Sequence, residues 1–187
     1  GGFGNLTWNS TSQTSDLSLI GNLTDVNGNL TISNTGSGSV RLSNSGVTSS
    51  INISGNLSQS QGEFYIGGTG GTNTWTVNVD GNLSITGGTF FDLAGGGGAT
   101  TINVKGNFTM SGGTLRESSN ATCTINFTGN TTQLFSKTAG TISNTIAFAI
   151  ANGATVDFGT SVLNGSGGTF TANSGSTLIT ANTAGIS

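Results

Sequence analysis

Gly81-Asn82-Leu83-Ser84-Ile85 recurs in close variants along the chain, as Gly28-Asn29-Leu30-Thr31-Ile32, Gly55-Asn56-Leu57-Ser58 and Gly106-Asn107-Phe108-Thr109-Met110. Gly129-Asn130-Thr131-Thr132 is a weaker copy, and successive glycines of the five are 27, 26, 25 and 23 residues apart. A second element repeats in phase ahead of the first: Ile51-Asn52-Ile53, Val77-Asn78-Val79, Ile102-Asn103-Val104 and Ile125-Asn126-Phe127. A third follows it twice, as Gly87-Gly88-Thr89-Phe90 and Gly112-Gly113-Thr114-Leu115. Three elements recurring in one order at such a period mark a solenoid or a repeat array.

Periodicity inside one copy selects the kind of solenoid. Ile102, Val104, Phe108 and Met110 occupy every second position, with Thr101, Asn103, Lys105, Asn107 and Thr109 between them. That is strand alternation, not a helical stripe. Gly106 takes an inward position, where it leaves room for a bend or a close backbone approach. The phase slips at Gly112-Gly113, as at a corner where positive φ is cheap. One coil is therefore two or three short strands joined by glycine corners. The Leu-x-x-Leu-x-Leu pattern of leucine-rich repeats is absent, and propeller blades are longer. The reading is an all-β parallel β-helix with coils of 23–27 residues. At the ~4.8 Å strand spacing, roughly seven coils would extend about 35 Å. Right-handedness follows by analogy with parallel crossover connections.

Residues 21–138 carry the Gly-Asn-Leu-Ser/Thr repeats. Residues 1–20 read as an irregular N-terminal segment, serving as a cap or as a strand for assembly. Residues 139–187 read as continuing coils of divergent sequence, with alternation kept in Ala154-Thr155-Val156-Asp157-Phe158 and Gly168-Thr169-Phe170-Thr171-Ala172.

Composition narrows the functional classes. Among 187 residues there are 4 Lys plus Arg, 7 Asp plus Glu, 33 glycines, and no proline or histidine. Four scattered cations do not make a nucleic-acid stripe. No apolar run is long enough to span a bilayer as a helix, so neither nucleic acid nor membrane insertion is expected. Without histidine there is no imidazole base, and only Cys123 and the carboxylates remain as candidate metal ligands. No two carboxylates share one of the repeated motifs, as clustered acids for sugar-cleaving chemistry would. The one charged doublet, Arg116-Glu117, points to opposite faces of its strand. Gly95 to Gly98 lack a Walker lysine and read as a corner rather than a phosphate cradle. The expectation is a chain that is not an enzyme, with no catalytic residue, cofactor or metal.

The string Gly81-Asn82-Leu83-Ser84-Ile85-Thr86-Gly87-Gly88-Thr89-Phe90 resembles the repeats of very long β-solenoid surface proteins secreted by Bacteroidetes-type bacteria. So does the tail, from Asn152-Gly153-Ala154-Thr155-Val156-Asp157-Phe158-Gly159 through Gly165-Ser166-Gly167-Gly168-Thr169-Phe170 to Ser174-Gly175-Ser176-Thr177-Leu178 and Gly185-Ile186. The resemblance covers most of residues 21–187. It implies an extracellular or cell-surface location, often reached by the type IX route, and a role in adhesion, gliding or matrix. Long members carry a C-terminal sorting domain that is not found here. The chain, which also begins without Met, is accordingly expected to be a processed product or a fragment.

Several residues carry candidate chemistry. Asn-x-Ser/Thr occurs 12 times, at Asn5, Asn9, Asn22, Asn29, Asn52, Asn56, Asn82, Asn107, Asn120, Asn126, Asn130 and Asn164, where composition alone gives about 7. The repeated Asn29, Asn56, Asn82 and Asn107 are therefore candidate glycosylation sites. Equally, they are rungs of a ladder in which stacked Asn and Thr side chains exchange hydrogen bonds. Asp80 and Lys105 hold the same repeat position and are expected to form a stacked ion pair that marks register. Cys123 and Trp75 share parity with the apolar positions and read as core, as does Phe90. Trp8, Tyr65, Trp75, Phe90 and Phe91 would be the sugar-stacking aromatics of an alternative glycan-binding module. An ice-binding Thr face would have to repeat Thr72-Asn73-Thr74-Trp75-Thr76 in every coil, which the sequence does not do. The leading expectation is a non-enzymatic structural unit of an adhesin, stalk or filament. Its coils stack end to end by self-association or by covalent continuation of the solenoid.

Overall fold

The computed structural model describes residues 2–43, 48–67, 74–92, 98–117, 122–163 and 167–186, and only the backbone of 91 and 92. The fold is all-β, with every paired strand parallel to its counterpart one coil away. Each full coil contributes strands to three faces. The first face stacks Asp25–Val26, Ser49–Ile53, Thr74–Val79, Ala99–Val104, Thr122–Phe127, Ala147–Ile150 and Phe170–Ala172. These seven strands bound about six complete turns, one fewer than the repeat count suggests. The second face runs from Leu6–Asn9 through Leu30–Asn34, Leu57–Gln59 and Leu83–Ile85 to Thr155–Asp157 and Thr177–Ile179. The third contains Leu17–Ser18, Ser39–Arg41, Glu63–Tyr65 and Thr89–Asp92. Two long strands, Phe108–Glu117 and Gln133–Ser143, bend through the corner and serve the second and third faces together.

Residues 2–20, expected to be irregular, carry regular strand pairing within the chain. They form the first coil: Leu6–Asn9 pairs with Leu30–Asn34, Leu17–Ser18 with Val40–Arg41, and Phe3 bridges to Val26. The cause is a further motif copy, Gly4-Asn5-Leu6-Thr7, in register with Gly28-Asn29-Leu30-Thr31. Gly21-Asn22-Leu23-Thr24, which matches the motif equally well, is instead a turn into the first face, with Gly21 at φ 76°. The division expected at 138/139 falls inside the strand Gln133–Ser143, and the solenoid is continuous across it. Among the described residues, third-face pairing ends at Ser143, while the first two faces continue.

Period-two alternation fills the inward columns mostly with apolar side chains, with Gln59 between Ile32 and Ile85 and Thr100 between Trp75 and Cys123 as buried polar members. One column of the second face reads Leu6, Leu30, Leu57, Leu83, Phe108, Phe135. On the first face Val26, Ile53, Val79, Val104, Phe127 and Ile150 align. From Phe108 onward the core turns aromatic. The Phe135 ring stacks on Phe108 at 5.0 Å and on Phe158 at 4.3 Å, and meets Phe127 and Phe148 edge-on. Trp75, Phe90 and Cys123 are buried, as their parity implied.

Two kinds of glycine turn the coil. Gly62, Gly88, Gly113 and Gly140 have φ between 70° and 83°, each just before a third-face segment, a conformation that costs a side-chain-bearing residue energy. The motif glycine is needed for space instead. A Cβ on Gly81 would lie 2.5 Å from Asn56 Oδ1 and 2.7 Å from the Gly55 carbonyl oxygen, and Gly106 is equally crowded.

Two substitutions test this packing. Gly81→Ala, which crowds the Gly55 backbone and the Asn56 oxygen held in its rung, is expected to destabilise by about 1–3 kcal/mol. Phe135→Ala empties the centre of the aromatic cluster and is expected to cost about 3–5 kcal/mol. Both are read as a fall in the denaturant midpoint.

Candidate functional site

The outer surface is organised as axial columns, and two of them are built of asparagine. In the Gly-Asn column the side-chain oxygen accepts the backbone N–H of the residue one coil on. Asn5 Oδ1 accepts from Asn29 at 2.7 Å, Asn29 from Asn56 at 2.8 Å, Asn56 from Asn82 at 2.8 Å and Asn82 from Asn107 at 2.7 Å. Asn107 closes the series on the Leu134 N–H at 2.8 Å. The amide-to-amide exchange expected for this column is found in the other one. There Asn52 donates to Asp25 at 3.1 Å, Asn78 to Asn52 at 2.9 Å, Asn103 to Asn78 at 2.9 Å and Asn126 to Asn103 at 3.0 Å. The next first-face residue in register is Ala149, and Asn126 Oδ1 is left without a donor.

The weak copy at Gly129-Asn130 leaves the column. Four extra residues separate Phe127 from Phe135 relative to Val104 and Phe108, and Gln133 fills the gap. Its buried Nε2 donates to the carbonyls of Val104 and Gly106, while its Oε1 accepts the Gly129 N–H at 2.7 Å. This substitute for the Asn rung shows no repeat signal in the sequence.

Asparagine stacking leaves two shallow depressions along the axis. One lies on the first face, between the Asn52–Asn103 column and the Asp80–Lys105 pair. The other lies on the second face, between the Gly-Asn column and the hydroxyl column Thr31, Ser58, Ser84, Thr109. Ser58 Oγ contacts Thr31 Oγ1 at 3.2 Å, and Thr109 Oγ1 contacts Ser84 Oγ at 3.1 Å. Asn29, Asn56 and Asn82 are exposed and Asn107 is half-buried, so the amide nitrogen that a glycan would use faces outward beside the oxygen that holds the next coil.

Asp80 and Lys105 do pair, with Nζ 2.7 Å from Oδ1 and both side chains about half exposed. Such a pair contributes at most about 1 kcal/mol. A second charged group, unforeseen in the sequence, fastens the first coil. Asp16 accepts from the Ser39 N–H at 3.1 Å, the Ser39 hydroxyl at 2.7 Å and the Arg41 guanidinium. Arg41 lies 4.4 Å from the Tyr65 ring centroid, and the Tyr65 hydroxyl donates to Glu63 at 2.6 Å. Burial, then Glu63, push the Tyr65 phenol upward. The Ser39 hydroxyl foremost, with Arg41, holds the Asp16 carboxyl below its usual range. Arg41 and Tyr65 share a repeat position, and pairing of the first coil with Val40–Arg41 brings Asp16 alongside.

Among the described residues the aromatic platform does not assemble, and the Phe91 side chain lies outside them. Trp75, Phe90 and Tyr65 are buried, and Trp8 is half-buried with its indole N–H donated to Gln13 at 3.0 Å. Glu117 is buried while Arg116 is exposed, so the doublet does divide between faces. Glu117 Oε1 accepts the Thr145 N–H at 2.9 Å and the Thr145 hydroxyl. Thr76, Thr101 and Thr124 stack with Ser50 in a hydroxyl column, but Ala99 interrupts the column of Thr74 and Thr122 beside it. Among the described residues no three His, Cys, Asp or Glu side chains come together. The sequons at Asn120 and Asn164, Thr72-Asn73, Gly165-Ser166 and glycines 95–97 lie outside the described residues.

The chain is thus a parallel β-solenoid repeat protein with asparagine-laddered faces. Comparison with protein families, with curated proteins and with solved structures finds no match.

Because the folded-state pKa of Asp16 is lowered from 3.8, its stabilisation is present above that pH and fades as the pH falls through the lower folded value. Hydrogen exchange at the Ser39 and Leu19 amides, corrected for intrinsic rates, is expected to keep its protection from pH 6 down to about pH 4 and to lose it as the pH falls further. Asp16→Asn is expected to lower protection at pH 6 and to flatten that dependence.

Proposed function

We propose that the chain is a non-enzymatic structural unit of an extracellular adhesin, stalk or surface filament, whose solenoid is extended end to end by further coils. The carrying observation is the uninterrupted axial bonding: backbone rungs on the faces are reinforced by two asparagine columns spanning four coil steps or more. Long stacks of parallel strands with in-register amides resist bending and slippage, because each rung must break several bonds at once. Few charges interrupt the stack, so like charges do not repel from rung to rung.

The free side of the first coil supports extension. Phe3, Leu6, Trp8, Leu19 and Leu23 line an apolar depression there, and Phe3 and Ile20 are 54% and 61% exposed. An open coil end exposes strand edges and core together and must be covered by another coil. That coil comes from a second copy or from a continuing chain. The likeness of the repeats to secreted Bacteroidetes-type surface proteins supports an extracellular setting and export by the type IX route.

Purified chain is expected to form concentration-dependent filaments one solenoid wide in negative-stain images, with a ~4.8 Å axial reflection in fibre diffraction. Phe3→Asp combined with Ile20→Asp is expected to leave a folded monomer. A wild-type chain that stays monodisperse and monomeric at every concentration would sink end-to-end assembly by copies.

A further inference from the structure

The second-face depression has a chemical bias that follows from its bonding. Every asparagine from Asn29 to Asn107 uses its side-chain oxygen on the next coil's backbone N–H. A carboxamide has one acceptor oxygen and two N–H donors. With the oxygen engaged at each rung, what the column turns to solvent is predominantly a row of Nδ2 donors. The neighbouring column, Thr31 to Thr109, adds a hydroxyl at every rung. Among the described residues no carboxylate or ammonium lines this depression, in contrast to the first-face depression with Asp80 and Lys105. The donors repeat at the rung spacing of ~4.8 Å, so four rungs offer a donor track about 14 Å long.

From this we infer that the second face is a binding groove for an extended polyuronate, lying along the solenoid axis with its acceptor oxygens on the Asn29–Asn107 donor row. A carboxylate only accepts, and its bonds from N–H donors are charge-assisted and stronger than those of a neutral hydroxyl. A linear polyuronate turns about its own axis from sugar to sugar, so its carboxylates meet the donor row at every second or third sugar, and its hydroxyl and ring oxygens accept from the donors between. The groove is set by the folded coils before binding, so little ordering entropy is lost on the protein side. Sugar recognition here needs no stacking aromatic. The groove also does not depend on end-to-end assembly, so filament formation and binding stand or fall on separate measurements.

Asn82→Asp is the informative variant. Aspartate keeps an oxygen for the Asn107 N–H and therefore keeps the rung, but it replaces the outward donor with a second acceptor. Titration of tetragalacturonate into wild-type chain is expected to give saturable binding, with the neutral cellotetraose at least tenfold weaker. Asn82→Asp, with its melting transition preserved, is expected to bind tetragalacturonate at least tenfold more weakly than wild type. In amide-resolved NMR of the wild type, the uronate is expected to shift the Nδ2 signals of Asn56, Asn82 and Asn107 but not those of Asn78 and Asn103. That pattern decides the matter even if the variant fails to fold. The inference is overturned by absence of saturable binding, by equal binding of the neutral tetramer, by an unchanged affinity in the folded variant, or by shifts confined to the first face. Intact mass showing covalent glycan on these asparagines in native material overturns it as well, since the donor row would then be occupied.

Discussion

One hydrogen bond organises this solenoid: a side-chain amide oxygen accepting the backbone N–H of the residue one coil further on. It has to reach across a rung at a corner, where strand pairing is about to change direction. Only a short, planar acceptor set at the start of the second face makes that reach. The bond also brings the side-chain oxygen against the preceding residue of the next coil, which leaves no room for a Cβ there. Glycine before asparagine is therefore a steric consequence of the bond and not a separate preference. Register follows too, because a slip of one residue would put leucine where the acceptor belongs and turn every apolar side chain outward.

The core adapts to the corners around it. Through the first Gly-Asn rungs the central second-face column is leucine, and it becomes phenylalanine at Phe108, in the last intact rung. Where the column ends, the corner widens by four residues and the inward phenylalanines gather around Phe135. Gln133 closes the widened corner from within, using both ends of its amide on backbone groups. A buried amide satisfied this fully holds a rung as specifically as the asparagine it replaces.

Much of this architecture was legible in the sequence, because a solenoid writes its geometry as repetition. The coil period, the inward parity of Trp75, Phe90 and Cys123, and the Asp80–Lys105 pair all follow from alignment of the copies. The rest was hidden for identifiable reasons. Two glycine-asparagine strings, at Gly4 and Gly21, compete for the first coil, and only strand pairing distinguishes them. The Asp16 clasp on Ser39 and Arg41 depends on the first coil, which the repeat motif alone does not single out. Which asparagine column bonds side chain to side chain, and which bonds side chain to backbone, depends on the corner geometry and not on residue type. The donor-rich character of the second face rests on that distinction. Gln133 has no counterpart in other coils, so periodicity says nothing of it.

The amide column of the first face has a further property. Each asparagine gives its N–H toward the coil before it, and the series terminates on the Asp25 carboxylate at one end and on an undonated Asn126 oxygen at the other. Aligned amide dipoles add, so the column is polarised along the axis with its positive pole facing a negative side chain. A rod whose net charge is small and evenly scattered is thereby given a direction. Its two ends are electrically unlike, and two such rods approached like end to like end would set the same poles against each other.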